Sequence, residues 1–304
     1  MELGKGHRLS ETPDWIAVDW GTSNLRAWGM RADGTVLREA TSDKGMGRLQ
    51  PQEFEPALRE IIADWTPGPT RVIACGMVGA RQGWIEAPYA SVPGEPLHAA
   101  LTHVPSAPDL QVGIIPGLSQ ADPPDVMRGE ETKVAGFLAM NPGWDGVLLL
   151  PGTHPKWILL SAGEVVAFRT SLTGELFAAL SGHTVLRHSV TTEGWDDDAF
   201  LAAVADGLAK PEALASRLFS IRAESLLKGL QPPAARARLS GLLIGADLAG
   251  AKSWWLGSRV CLMGAGELAR TWGMALRSQG VPLETADAED ATLAGLVEAW
   301  RRNQ

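Results

Sequence analysis

Basic side chains are outnumbered in this chain of 304 residues, 27 against 35 acidic, and it holds only two cysteines and one tyrosine. The thiols, Cys75 and Cys261, lie far apart inside apolar runs. That excludes a disulfide framework and a structural zinc site and points to a reducing, cytoplasmic setting. A formal net charge of -8 leaves no electrostatic footprint for nucleic acid or an acidic membrane. No apolar run approaches the roughly 18 residues of a membrane span. The opening MELGKGHRLSETPD lacks the apolar centre of a signal peptide, so a soluble protein with a frayed first dozen residues is expected. Solenoid repeats and low-complexity tracts are missing too. Tryptophan is plentiful, with twelve residues scattered along the chain. Such scatter suits core and cleft walls better than a stacking platform for single-stranded nucleic acid.

With 45% hydrophobic and 20% charged residues the chain is long enough for about two α/β domains. WIAVDWGTSNLRAWGM reads as a buried strand, a turn on Gly21 and Ser23, and a returning strand, with Asp19 at the end of the first. A carboxylate is costly to bury unpaired against a core but makes sense beside a metal-bound phosphate. TVLREATSD predicts a third strand, PQEFEPALREIIADW a helix with Phe54, Leu58, Ile61, Ile62 and Trp65 on one stripe, and TRVIACGMVG a buried strand. Gly79 to Pro124 is Gly- and Pro-rich and reads as a ligand-facing insertion. GEETKVAGFLAM is a helix with Val134, Phe137 and Leu138 on one face. DGVLLLPGTHPKWILLSAGEVVAFRTS then repeats the opening design of strand, small-residue loop and returning strand. Helices fill most of Gly174 to Lys252. The end is strand RVCLM, loop GAGE, a helix, strand PLETAD and a last helix with Leu293, Leu296, Val297 and Trp300 in register.

Several motifs mislead. MGAGELA fits a dinucleotide fingerprint with Glu284 about twenty residues on, but only one helix follows, too little for a dinucleotide-binding half. GADLAGAKS has Ala251 where a P-loop needs Lys, and reads as helix. Asp196 to Asp198 suit a helix start, and His183 and His188 lack the spacing of a helical zinc pair.

Two strand–loop–strand phosphate motifs followed by a strand–Gly–helix loop resemble the sugar kinase, Hsp70 and actin superfamily, with VDWGTSNLRAW, LLLPGTHPKW and VCLMGAGELA as its first phosphate, second phosphate and adenosine motifs. DWGTSNLRAW, CGMVGARQGWIEAPY, DVMRGEET, LPGTHPKW and TSLTGELFAAL make the chain similar to the 2-dehydro-3-deoxygalactonokinase family within it. That resemblance implies a two-lobed ribonuclease H-like α/β fold with ATP in the interlobe cleft: a first lobe over 14–140, a second over 143–287, and a C-terminal helix over 288–304 packing back on the first. It also implies ATP- and Mg²⁺-dependent transfer to the 6-hydroxyl of 2-dehydro-3-deoxy-D-galactonate in galactonate catabolism. A kinase for another keto-deoxy sugar acid or hexose, or a non-catalytic ATP-gated module, stays open. The partners implied are ATP and a small sugar acid; a homodimer is left open.

Phosphoryl transfer needs positioning and charge neutralisation, and roles follow. Asp19 would orient Mg²⁺ through its water shell. Gly21, Thr22 and Ser23, and Gly152, Thr153 and His154, would approach the phosphates, and Gly264 and Gly266 would face the adenosine. Lys156 would neutralise phosphate or merely cap its turn. The general base would be Glu131, with Glu130 its neighbour, although acids at a helix start have a dipole rationale of their own. Arg81 and Arg128 are candidates for the substrate carboxylate, or for ordinary ion pairs. Trp84 and Tyr89 would be cleft walls.

Overall fold

A computed structural model describes residues 12–66, 68–105, 108–191 and 193–304. The expected fraying of the first dozen residues falls, Thr12 apart, outside them. The chain divides into two compact units, Met1–Pro142 with Glu289–Gln304, and Gly143–Ala288. No helix among the described residues is long and apolar enough to cross a membrane.

The first unit is built on β1 (Trp15–Trp20), whose near-continuous apolar run is what burial on both faces requires. It pairs antiparallel with β2 (Leu25–Met30), which pairs antiparallel with β3 (Val36–Ser42). After α1 (Phe54–Ile61), β4 (Thr70–Gly76) returns parallel to β1. Three short strands follow, β5 (Tyr89–Ser91), β6 (Thr102–His103) and β7 (Leu110–Ile114), and β7 lies parallel to β4. The sheet order is β3-β2-β1-β4-β7-β6. A small second sheet joins β5 to β8 (Gly117–Gln120) and β9 (Asp125–Met127), ahead of α2 (Glu130–Met140).

The two-residue period of β1 sorts its side chains. Ile16, Val18 and Trp20 meet Phe54 and Leu58 of α1 on one face, while Trp15 and Ala17 join Ile73 and Cys75 on the other. Asp19, one step on from Ala17 in that alternation, is in register with Cys75 and shares the second face.

The reading of Gly79 to Pro124 as one insertion needs correcting. VGIIPGL is cut by its proline: Leu110, Val112 and Ile114 point into the core of the main sheet, and β8 opens the small sheet at Gly117. Helix α1 is also shorter than its apolar stripe suggests. It gives way at Ile62, although Trp65 still packs on the core from the following turn.

The second unit repeats the plan. Strands β10 (Gly146–Leu150), β11 (Lys156–Ser161) and β12 (Glu164–Thr170) form an antiparallel meander. Helices α3 (Thr173–His183), α4 (Asp197–Ala209), α5 (Leu214–Leu227), α6 (Pro232–Gly250) and α7 (Lys252–Trp255) follow. Strand β13 (Val260–Met263) lies parallel to β10, α8 (Gly266–Ser278) crosses over, and β14 (Leu283–Ala286) closes the order β12-β11-β10-β13-β14. The sheet ends there, as a dinucleotide-binding half would not. Glu284 pairs with Arg259 and accepts a bond from Trp144 Nε1 at 3.1 Å. The GADLAGAKS stretch is the end of α6 running into α7, and Asp196 caps α4 by accepting from Ala199 N–H at 2.9 Å.

The last helix, α9 (Ala288–Arg302), belongs to the first unit. Trp300 stacks on Trp15 with ring centroids 4.8 Å apart and planes 3° from parallel. Backbone touches backbone where α9 crosses α2: a Cβ on Gly295 would lie 1.9 Å from the Thr132 carbonyl oxygen. Gly295→Ala is therefore expected to force the helices apart and cost about 1–3 kcal/mol, the range for overpacking. Thermal unfolding would read this as a Tm lower by several degrees; an unchanged Tm would mean that the crossing yields freely.

Candidate active site

In the first unit the loop Gly21–Asn24 is held from behind rather than by its own hydrogen bonds alone. Gly21 N–H bonds to Asn24 O, while Met46 N–H and Gly47 N–H donate to the carbonyls of Gly21 and Thr22, each at 2.9 Å. Trp20 Nε1 anchors the same segment through Lys44 O. Gly45 makes the approach sterically feasible, since a Cβ there would sit 2.2 Å from the backbone of Ser23. Thr22 and Ser23 are left exposed at the tip.

Asp19 is half-buried behind this loop, its Oδ1 3.8 Å from the Cys75 sulfur. Burial, with Asp19 adding to it, pushes the Cys75 thiol well up, so it stays protonated and inert. Lys133 of α2 belongs to the same group of charges. Burial pulls its pKa down, but the carboxylates of Asp19, Glu130 and Glu131 outweigh that, and the ammonium titrates above its ordinary range.

The acid pair at the start of α2 clasps the chain before it. Glu130 accepts from Arg128 N–H at 3.0 Å and Glu131 from Gly129 N–H at 2.7 Å, while Thr132 Oγ1 donates to Glu131 at 3.1 Å. The carboxylates thus satisfy amide groups that a helix N-terminus leaves open. They differ in access: Glu130 is half-buried and Glu131 has no exposed surface. Burial first, and the neighbouring Glu130 second, push the Glu131 carboxyl up to about 7.

Arg128 is 9% exposed. One terminal nitrogen donates to Ala87 O at 2.7 Å, and the guanidinium lies 4.3 Å over the ring of half-exposed Tyr89. Its Nε and Nη1 are buried and find no hydrogen-bond partner among the described residues. Tyr89 therefore serves first as a platform for Arg128. Trp84 is half-buried and stacks on Phe54 at 6.1 Å, part of an aromatic cluster with Trp20, so it is as much core as wall. Arg81 is exposed on the turn after β4.

In the second unit, the loop Pro151–Pro155 between β10 and β11 presents exposed Thr153 and His154. His154 Nε2 lies 2.5 Å from Glu175 Oε2, which ties the imidazole to α3. Lys156 is 5% exposed and sits in β11, beyond the loop tip. A cavity of about 360 Å³ opens beside the loop, lined by Gly152 and Thr153 with Phe177, Trp195, Arg236 and Leu268 among others. Gly264 lies against Pro151, and the residues that follow Gly266, Glu267 and Leu268, reach the wall. Loop, aromatic wall and the Gly264–Gly266 turn thus converge within one unit.

Sequence reasoning missed Lys133 and the cavity wall. Lys133 was visible as the cation two residues after the acid pair. The wall residues come from α3, the segment before α4, α6 and α8, and no local pattern links them.

Two sheets that share a five-strand order, with β6 added at the edge of the first, and each with a small-residue loop after its first strand, define the sugar kinase/Hsp70/actin class. In line with that, 95% of this chain matches the activator of the 2-hydroxyisocaproyl-CoA dehydratase from Clostridium difficile with bound ADPNP, at a TM-score of 0.51 and 11% identity, a likeness of fold alone. Within the class, the chain belongs to the 2-keto-3-deoxy-galactonokinase family, whose family model matches residues 19–299. It is 41% identical, over 94% of its length and 96% of the relative's, to "Probable 2-dehydro-3-deoxygalactonokinase DgoK1" of Rhizobium meliloti (strain 1021). It is 35% identical to the 2-dehydro-3-deoxygalactonokinase of Escherichia coli (strain K12), over 94% and 97%. A crystal structure from Sinorhizobium meliloti, 41% identical, matches with a TM-score of 0.88 over 95% of this chain and 96% of the other.

Proposed function

We propose that the protein transfers the γ-phosphoryl group of ATP to the 6-hydroxyl of 2-dehydro-3-deoxy-D-galactonate, giving the 6-phosphate and ADP. The observation that carries this reading is the cavity of about 360 Å³ bounded by the second glycine loop, in a chain whose family membership spans both units. Its size and its aromatic, aliphatic and hydroxyl lining suit a nucleoside, with Gly152 and Thr153 placed for the phosphates. Buried free thiols in both units agree with a reducing cytoplasm as the compartment.

In the first unit, the amides of Thr22 and Ser23 would meet phosphate oxygens, while Gly21, whose N–H is taken by Asn24 O, would hold the base of the loop. Asp19 offers a hard oxygen donor, and among the described residues no three acidic, His or Cys side chains gather to hold a metal unaided. This donor set fits Mg²⁺ that keeps most of its waters and takes its other ligands from phosphate. The ion would supply charge neutralisation; Lys133 supplies a fixed positive charge at the same strand end. Arg128 would receive the substrate carboxylate on one of its unpartnered donors together with the second N–H of Nη2. Glu131 would accept the hydroxyl proton as the new O–P bond forms and the bond to ADP breaks, with a pKa near 7 suited to that role. The carboxyl has no exposed surface, so delivering the hydroxyl to it requires the start of α2 to open when substrate binds.

The test is ADP release with mass detection of product, offering ATP, Mg²⁺ and, separately, the galactonate-derived acid, its C4 epimer, glucose and no acceptor. A phosphorylated keto-deoxy acid is the expected product. ADP release independent of any acceptor would overturn the reading.

Glu131 also makes a stability prediction. Its folded pKa of about 7 lies above the ordinary 4.5, so between these values the native state holds a proton that the unfolded chain has lost. Stability contributed by that proton is present below this window and falls as pH rises through it. Glu131→Gln, which keeps an acceptor for Gly129 N–H, should flatten the decline of Tm between about pH 4.5 and 7. An identical decline in both proteins would place the titration elsewhere.

A further inference from the structure

Asp247 is a buried carboxylate that none of the roles above uses. It lies near the end of α6 and is 8% exposed. Its Oδ1 accepts from Trp157 Nε1 at 3.1 Å, and its Oδ2 accepts from Thr173 Oγ1 at 2.5 Å and from Ser171 Oγ. Apolar packing can serve stability as well as a buried charge does, so stability alone does not explain an acid here.

What the carboxylate holds is the turn that seats the second glycine loop. Ser171 and Thr173 hydroxyls lie 3.1 Å apart, both within reach of Asp247. From the same segment, Ser171 N–H donates to Pro155 O at 3.0 Å and Glu175 N–H donates to Thr153 O at 2.9 Å. These bonds grip the loop on both sides of His154. Thr173 itself reaches the cavity wall.

We propose that Asp247 is a positioning residue for phosphoryl transfer: through Ser171 and Thr173 it fixes the Gly152–Pro155 loop in the orientation its amides need to meet nucleotide phosphates. Preorganised donors stabilise charge only when their supports are locked, and a charged acceptor locks two hydroxyls at once. The inference rests on the nucleotide reading of this cavity.

The experiment measures ADP binding by calorimetry with Mg²⁺, and steady-state kinetics, for wild type, Asp247→Asn, Ser171→Ala and Leu110→Ala. Leu110 lies in the core of the first unit, none of whose residues lines the cavity, and supplies a stability control. Asp247→Asn should weaken ADP binding and raise KM for ATP by about 10-fold or more, the scale on which supporting residues act. Its KM for the sugar acid should stay within about twofold of wild type. Ser171→Ala should act in the same direction more weakly, and it decides the matter if the Asp247 variant does not fold. Leu110→Ala should lower Tm with ADP affinity kept. The positioning role is overturned if Asp247→Asn and Ser171→Ala bind ADP like wild type, or if Leu110→Ala weakens binding as much as they do. Failure of the wild type to bind ADP is a separate result, which overturns the nucleotide reading and the positioning role with it.

Discussion

Asp19→Asn is expected to lower kcat by about 10²–10³-fold, the loss typical when one preorganised charge-stabilising group is removed from a transition state. Its Tm should move by no more than a few degrees, because Asp19 is half-buried at a strand end and Asn keeps its volume. The reason lies in its place. β1 is apolar on both faces until Asp19, which emerges beside the exposed loop Gly21–Asn24 with Cys75 and Lys133 at its side. Removing the charge leaves Lys133 facing Glu130 and Glu131 alone, so the field at the strand end turns more positive, and a cation finds only a neutral amide oxygen there. Rapid-quench or coupled kinetics at saturating ATP and sugar acid would test it. A kcat within a few-fold of wild type would remove Asp19 from the reaction.

Arg128→Ala carries the second large effect. A guanidinium this deeply buried, with Nε and Nη1 unpartnered among the described residues, is costly unless something completes it. A carboxylate does so by taking one of these donors together with the second N–H of Nη2, since Nε and Nη1 face opposite sides of the guanidinium. Truncation should reduce kcat/KM for the keto-acid by about 2–5 kcal/mol, a factor of roughly 30 to 5,000, with KM for ATP little changed. A structural role alone would also lower activity, through Ala87 and Tyr89, so the deciding readout is discrimination. Wild type should prefer the acid over its C1 amide, and Arg128→Ala should lose most of that preference. Arg128→Lys keeps charge but not the planar fork and should fall between. If the variant still prefers the acid as strongly, the carboxylate is read elsewhere, and exposed Arg81 becomes the next residue to change.

Legibility in the sequence followed the range of the forces involved. Trp15–Val18, the VLLLPGTHPKW meander and the Leu293–Trp300 stripe declare themselves because each buried run carries its own period and is bounded by small or charged residues. The glycine loops were visible for the same reason. VGIIPGL was harder, since a proline between two buried segments does not say that one joins the main sheet and the other a small one. Lys156 looked like a loop residue from its place after Pro-Gly-Thr-His-Pro, yet strand pairing with Leu150 and Thr170 buries it.

By itself the sequence determined the alternation of strands and helices, the duplicated loop design, and a set of acids and arginines at strand and helix ends. These are local properties, written in periods of two and 3.6 residues and in turn chemistry. Only the tertiary structure decided that Glu131 is sealed from water while Glu130 is not, that Arg128 has two buried donors without a partner above Tyr89, and that Asp247 bonds the hydroxyls of Ser171 and Thr173, which lie far before it in the chain. Burial and pairing are set by residues distant in the chain, and desolvation by those neighbours is what turns a carboxyl or guanidinium from surface charge into a chemical group with a task.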